Sequence, residues 1–109
     1  MEEPDEKFER SIESVSGDDI SCLLVAREHY GDSWKRRGGV GAYMMLARKW
    51  DRLENAVRKS GWDVFASVRD DSRTIDGVID DIRDLRRYLL LVESELKEKG
   101  LLSEDRHTP

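Results

Sequence analysis

The residues of this sequence that can do chemistry are mostly acids, and the densest group lies on a predicted helix in its last third. Asp76, Asp80 and Asp84 recur every four residues, and Asp81 lies three residues before Asp84. Residues three or four apart share one face of an α-helix, so these carboxylates can approach a common ion. Mg²⁺ prefers oxygen ligands and commonly bridges protein carboxylates to substrate phosphates. The alternative is a solvated helix face of mixed charge.

A second group of charges lies on the preceding predicted helix, where Asp51 and Glu54 are spaced by three residues. These two acids can complete the ligand set of the same ion if the two helices face each other. Lys49 and Arg52 lie beside them and can neutralise phosphate groups. The alternative is ordinary surface charge, with Glu54 pairing with Arg58 four residues further along the helix.

The third candidate is an aromatic, glycine-rich segment over residues 30–41, which we expect to form a loop. Tyr30 or Trp34 can stack on a nucleobase, while Lys35, Arg36 and Arg37 attract its phosphates. The alternative is that Trp34 packs into a helical core and the bases are only solvated. The segment matches neither a Walker-type phosphate loop nor a Rossmann fingerprint.

Two long helices must position these groups. Apolar residues at three- and four-residue steps predict helices over 42–60 and 74–99, and a shorter one from Asp18 or Asp19 to about Tyr30. The apolar stripe of the first long helix consists of Leu46, Trp50, Leu53 and Val57. The apolar seam of the second consists of Ile75, Val78, Ile82, Leu85, Leu89, Val92 and Leu96. So regular a seam predicts near-antiparallel packing against another helix.

The predicted fold class is all-α, a small helical bundle with two long packed helices that is completed by oligomerisation. Leu90 and Leu91 widen the apolar surface of the last helix, so one of its neighbours can belong to another subunit. The predicted domain organisation is an acidic flexible lead-in over 1–19, a helical domain over 20–99 and a polar tail over 100–109.

Charge and composition limit the classes of partner. The 109-residue chain carries 19 Lys and Arg against 24 Asp and Glu, for a net charge of −5. Its bases concentrate in residues 27–59, a footprint too small for duplex nucleic acid but suited to a small phosphate compound. No apolar run is long enough to span a membrane, and the single Cys22 excludes an internal disulfide. We therefore expect a cytoplasmic protein without a membrane or duplex nucleic-acid partner.

Three segments resemble the MazG-like superfamily of small all-α nucleoside triphosphate pyrophosphohydrolases. More narrowly, they resemble the phage-enriched branch of this superfamily that is associated with nucleotide modification. The segments are YGDSW at 30–34, ARKWDRLE at 47–54 and IDDIRDLRRY at 79–88. The resemblance covers roughly residues 22–95. It implies Mg²⁺-dependent hydrolysis, or hydrolysis with Mn²⁺ in its place, that cleaves a nucleotide between its α and β phosphates to give a monophosphate and pyrophosphate.

The resemblance also implies roles for particular residues. In that superfamily an E-x-x-E pair on one helix and an E-x-x-D pair on the next bind the metal. The first pair corresponds here to Asp51 and Glu54, and the second to Asp81 and Asp84, or to Asp80 and Asp84 in the register of the narrower branch.

The remaining implied roles concern the substrate. Lys49 and Arg52 are expected to stabilise developing negative charge, and the loop with Tyr30 and Trp34 to hold the base or close the site. The first alternative function is a non-catalytic protein that sequesters a nucleotide or cyclic nucleotide. The second alternative is a helical assembly protein whose acids are merely exposed.

Overall fold

The computed structural model describes residues 3–102, and within that range the chain forms α-helices, one 3₁₀ turn and no strand. The elements are α1 (Pro4–Tyr30), the 3₁₀ turn (Ser33–Lys35), α2 (Gly38–Lys59), α3 (Val64–Arg69) and α4 (Val78–Glu98). The predicted all-α fold class is therefore confirmed. No helix in the described range is long and apolar enough to cross a membrane. Most of the tail predicted over 100–109 lies outside the described residues.

The chain divides into two compact units, residues 1–33 and 34–109. The first contains α1, which begins at Pro4 and not at Asp18 or Asp19. The flexible lead-in predicted over 1–19 is thus helical from residue 4 onward. Proline suits the first helical position, and the acids of the first turn are favoured by the positive end of the helix dipole.

The second unit is built on α2 and α4, which lie antiparallel. Lys49 pairs with Asp84, and Arg52, three residues further along α2, pairs with Asp81, three residues back along α4. Charged partners that advance on one helix and retreat on the other fix opposite helix directions. The predicted packing of two long helices is therefore confirmed.

The start of α4 differs from the prediction. The helix begins at Val78, because Asp76 adopts a left-handed conformation with φ 55° and Gly77 is the N-cap. Ile75, expected to begin the apolar seam, is 77% exposed and lies outside the helix. Residues 70–77 instead form an irregular segment that follows α3 and leads into α4.

Candidate functional site

Two ion pairs join α2 to α4 and define what we call the ion-pair face. Lys49 Nζ lies 2.9 Å from Asp84 Oδ2, and Arg52 Nε donates to Asp81 Oδ1 at 2.8 Å. The pairs form because both the bases and the acids are spaced by three residues on antiparallel helices, so each base meets one acid. The structure thus brings together both predicted catalytic bases and two of the candidate metal ligands.

The two pairs differ in burial. The Asp81 side chain is 4% exposed, whereas the Arg52 side chain is 41% exposed. The hydrogen bond to Asp81, followed by the charge of the same carboxylate, raises the pKa of Arg52. Nη2 of Arg52 also donates to the backbone carbonyl of Asp76 at 3.4 Å. Arg52 is therefore held by a buried carboxylate and a backbone oxygen while its outer edge meets solvent.

The acids of α2 lie away from this face. Glu54 accepts hydrogen bonds from Trp50 Nε1 and from Arg58 Nη2, both at 3.0 Å. At about 100° per residue, Glu54 lies about 160° around α2 from Arg52. Asp51, which is exposed, lies about 160° from Lys49. The predicted ligand pair on α2 therefore does not meet the acids of α4.

Asp80 has a local role at the start of α4. Its Oδ2 accepts a hydrogen bond from the backbone N–H of Gly77 at 3.2 Å, and its Oδ1 lies 3.6 Å from Arg83 Nη1. Among the described residues, no three or more His, Cys, Asp or Glu side chains gather to hold a metal ion. Oxygen donors are the right chemistry for Mg²⁺, but the four predicted ligands do not fit one ion as they are placed.

Within residues 34–102, the predicted substrate-binding residue Lys35 lies away from the ion-pair face. Lys35 Nζ contacts both carboxylate oxygens of Glu95, at 2.8 and 3.0 Å, and this hydrogen bond is the main reason that the pKa of Glu95 is lowered. Glu95 follows Asp84 by eleven residues, about 16 Å along α4. Trp34 is half-buried and Arg36 is exposed.

Tyr30 ends α1 and is 71% exposed. It belongs to the first compact unit, whereas the ion-pair face belongs to the second. Its predicted role in base stacking stays a prediction.

A pocket of about 360 Å³ adjoins the ion-pair face. It lies between the last turns of α2, α3 and the segment that leads into α4, and Arg52 and Asp81 contribute to its wall. The remaining lining residues are Asn55, Ala56, Lys59, Ser60, Ser67, Asp70, Asp71, Arg73 and Val78. Sequence reasoning missed this pocket because its walls come from three separate elements. The run of polar residues after α3 was its only local signal.

Asp71 fixes one wall of the pocket. Its carboxylate accepts hydrogen bonds from Arg73 Nε at 2.9 Å and from the backbone N–H of Val78 at 2.8 Å. The bond from the Arg73 side chain, followed by that from the Val78 backbone, lowers the pKa of Asp71 to about 2. A Cβ atom on Gly77 would lie 2.6 Å from Asp71 Oδ2, so a side chain at this position would displace the Asp71 carboxylate.

Within the described range, two of the three cations that line the pocket are paired with acids, and the third is not. Arg52 and Arg73 are each bound to a carboxylate of the wall. Lys59, which is exposed, forms no ion pair with any residue in the range 3–102. It is therefore a lining cation whose charge is available to an anionic ligand.

No protein-family model, curated protein or solved structure matches this chain. The basis for a function is therefore the chemistry of this site together with the resemblance of the three sequence segments.

Proposed function

We propose that the protein binds a nucleoside triphosphate by its phosphates at the ion-pair face and hydrolyses it to a monophosphate and pyrophosphate. Water adds to the α-phosphorus, and the bond from that phosphorus to the bridging oxygen of the β-phosphate breaks. The observation that carries the proposal is the position of Lys49 and Arg52, one helical turn apart, side by side and partly open to solvent.

Both bases keep donors for a phosphate while bound to their acids. An arginine side chain has five N–H donors, and Arg52 uses only Nε and Nη2 in its contacts with Asp81 and Asp76. A lysine has three donors, of which Lys49 directs one to Asp84. The carboxylates thus orient the bases in advance, and phosphate oxygens can occupy the remaining donors.

The pocket beside Arg52 offers space for the rest of the nucleotide. A volume of about 360 Å³ lies at the lower end of small-molecule sites, which is suited to one nucleoside. The amide of Asn55 and the hydroxyl of Ser60 are hydrogen-bonding groups in its wall, and Lys59 adds a positive charge. Arg52 belongs to both the pocket and the ion-pair face, so one ligand can occupy both.

Mg²⁺ or Mn²⁺ is the proposed cofactor, on the resemblance of the sequence alone. Such an ion would supply positive charge to the phosphates. The residues of this chain contribute in a different way: Lys49 and Arg52 bind phosphate oxygens and counter the negative charge that develops as pyrophosphate leaves. Asp81 is a positioning residue, because it holds the Arg52 guanidinium in place.

Binding without turnover is the second candidate function, because both acids of the ion-pair face are already engaged by bases. A protein of this kind would sequester a nucleotide or cyclic nucleotide. The phosphate contacts would be the same in both cases, and only the formation of product separates them.

The test is a panel of nucleotides with Mg²⁺ or Mn²⁺, with released phosphate measured by malachite green. Phosphate that appears only after added pyrophosphatase indicates cleavage between the α and β phosphates. Lys49→Ala is expected to lower kcat/KM by about 10²-fold. Arg58→Ala is the matched control, since it removes an exposed base of α2 that pairs with Glu54 about 180° around the helix from Lys49, and it should leave kcat/KM unchanged.

Several outcomes contradict the proposal. Activity that survives Lys49→Ala, or that falls equally in Arg58→Ala, removes the ion-pair face from the site. Absence of product together with a nucleotide-dependent rise in Tm that Lys49→Ala abolishes supports the sequestering protein. Neither product nor a rise in Tm contradicts both functions and leaves a helical assembly protein.

A further inference from the structure

We propose that the nucleotide bound by this protein carries a second phosphate ester on its sugar, away from the 5′-phosphates, and that Lys59 binds this second phosphate. The inference rests on the proposed binding of the 5′-phosphates by Lys49 and Arg52. It names the class of ligand, which is a nucleoside phosphorylated at both its 5′ and its 3′ oxygen. The same chemistry is present in a 3′-phosphate monoester and in the diester that joins one nucleotide to the next.

The charges in the wall of the pocket leave one cation in excess. Each of the three acids of the wall already has a basic partner: Asp81 with Arg52, Asp71 with Arg73 and Asp70 with Arg69. Lys59 also lines the pocket, and it forms no ion pair with any residue in the range 3–102. The part of a ligand that lies beside Lys59 is therefore favoured if it carries a negative charge of its own.

Lys59 lies on the same stripe of α2 as Arg52. The two residues are seven positions apart, which is about two helical turns, roughly 10 Å along the axis and about 20° around it. Asn55, which also lines the pocket, lies between them, three residues after Arg52 and four before Lys59. The stripe thus presents a cation, an amide and a second cation in that order. A nucleoside with a phosphate at each end of its sugar presents the complementary groups in the same order.

Arg73 adds further donors from a different part of the pocket wall. It belongs to the segment between α3 and α4, and its Nε and Nη2 donate to Asp71 at 2.9 and 3.4 Å. Its Nη1 forms no hydrogen bond within residues 3–102. Since an arginine has five N–H donors, this outer nitrogen can bind a phosphate oxygen while Asp71 holds the guanidinium in place. The second phosphate can therefore be contacted from two elements of the fold.

The position of Lys59 at the end of α2 also has a purely structural explanation. A base in the last turn of a helix is favoured by the negative end of the helix dipole. Arg58 shares this last turn, but it pairs with Glu54 and does not line the pocket. A comparison of variants at the two positions therefore separates ligand binding from stabilisation of the helix end.

Calorimetry on the full chain, with Mg²⁺ present, compares the 5′-monophosphates of the four common ribonucleosides with their 3′,5′-bisphosphates. At least one bisphosphate is expected to bind about tenfold more tightly than its monophosphate, because a hydrogen bond to a charged group contributes about this much at a partly open site. This gain should decline as NaCl is added, since salt screens exposed charges. A 5′-phosphorylated dinucleotide distinguishes the two sources: a gain with it indicates that the site accepts a diester, and a gain confined to the bisphosphate indicates a monoester.

Four variants assign the gain to one residue. Lys59→Ala should abolish the gain, whereas Lys59→Arg, which keeps the positive charge, should retain it. Arg58→Ala is the matched control from the same helical turn and should leave the gain unchanged. Lys49→Ala should weaken the monophosphate and the bisphosphate alike, because it acts on the 5′-phosphate that the two ligands share. Circular dichroism of each variant checks that the helices are retained.

The outcomes separate this inference from the proposed function. Bisphosphates that bind no more tightly than monophosphates, while monophosphate binding still depends on Lys49, overturn the inference and leave the proposed function intact. A gain that survives Lys59→Ala, or that Arg58→Ala also removes, overturns it as well. A gain that depends on Lys59 in a protein that forms no product from any triphosphate contradicts hydrolysis and supports the second phosphate site. Absence of binding by every ligand overturns both.

Discussion

Replacing Arg52 by methionine isolates the contribution of one cross-helix ion pair. The change keeps an apolar stem of similar length but removes the partner of Asp81, whose side chain is only 4% exposed. Loss of one partner costs about 3–5 kcal/mol in a fully buried pair and about 0–1 kcal/mol in an exposed pair. Because Arg52 is 41% exposed, water can reach the vacated position, and we expect about 2 kcal/mol.

Thermal unfolding followed by far-ultraviolet circular dichroism measures this cost. A loss of about 2 kcal/mol should lower Tm by about 10 °C in a chain of this size. Arg69→Met is the matched control, because Arg69 pairs with Asp70 at 3.1 Å but both side chains are largely exposed. Solvent screens that pair, so its loss should lower Tm much less than the loss of Arg52 does.

A double-mutant cycle with Asp81→Asn identifies the physical origin of the loss. Asparagine carries no charge, so removing Arg52 in that background no longer leaves a buried unpaired carboxylate. We therefore expect the double variant to be more stable than the sum of the single changes indicates, by about 1 kcal/mol or more. Strict additivity, or a loss no larger than that of Arg69→Met, would refute the reasoning.

Two further predictions concern the wall of the pocket, and a third concerns Lys35. Gly77→Ala should destabilise the fold by about 1–3 kcal/mol by displacing Asp71, whereas Gly17→Ala, with nothing within 4 Å, should not destabilise it; thermal melts compare them. Because the pKa of Asp71 is lowered to about 2 from 3.8, its stabilisation is complete above pH 3.8 and is lost as the pH falls towards 2. When Tm is measured as the pH is lowered, the loss of stability that Asp71 causes between pH 3.8 and about 2 should appear in the wild type and be absent from Asp71→Asn. Lys35→Ala should leave nucleotide affinity unchanged in calorimetry, because Lys35 pairs with Glu95, about 16 Å along α4 from Asp84 of the ion-pair face. A large loss of affinity would support the predicted role of Lys35.

The apolar pattern predicted the positions of the helices better than it predicted which of their side chains are buried. Trp50 belongs to the regular stripe of α2, yet it is 52% exposed, and Lys49 beside it is only 20% exposed. The stripe is wide, and packing against α4 uses only one side of it. Which side is used depends on how α2 is rotated about its own axis relative to α4. The spacing of apolar residues along α2 alone does not predict this rotation.

In the candidate site, too, the sequence predicted the placement of some residues and not of others. Lys49 and Arg52 were predicted to neutralise the same phosphate groups, and the structure places both side chains on the ion-pair face. The same reasoning grouped Asp51 and Glu54 with the acids of α4, although these two lie on other sides of α2. Spacing within a helix states which residues share a face, but it does not state which face meets the partner.

The sequence by itself determined the all-α fold class and the two long helices, because helical periodicity is a local property of residue types along the chain. The tertiary structure alone decided the pairs, since the antiparallel register brings Lys49 to Asp84 and Arg52 to Asp81. It likewise decided the pocket, whose walls come from parts of the chain that meet only when α3 folds back on α2.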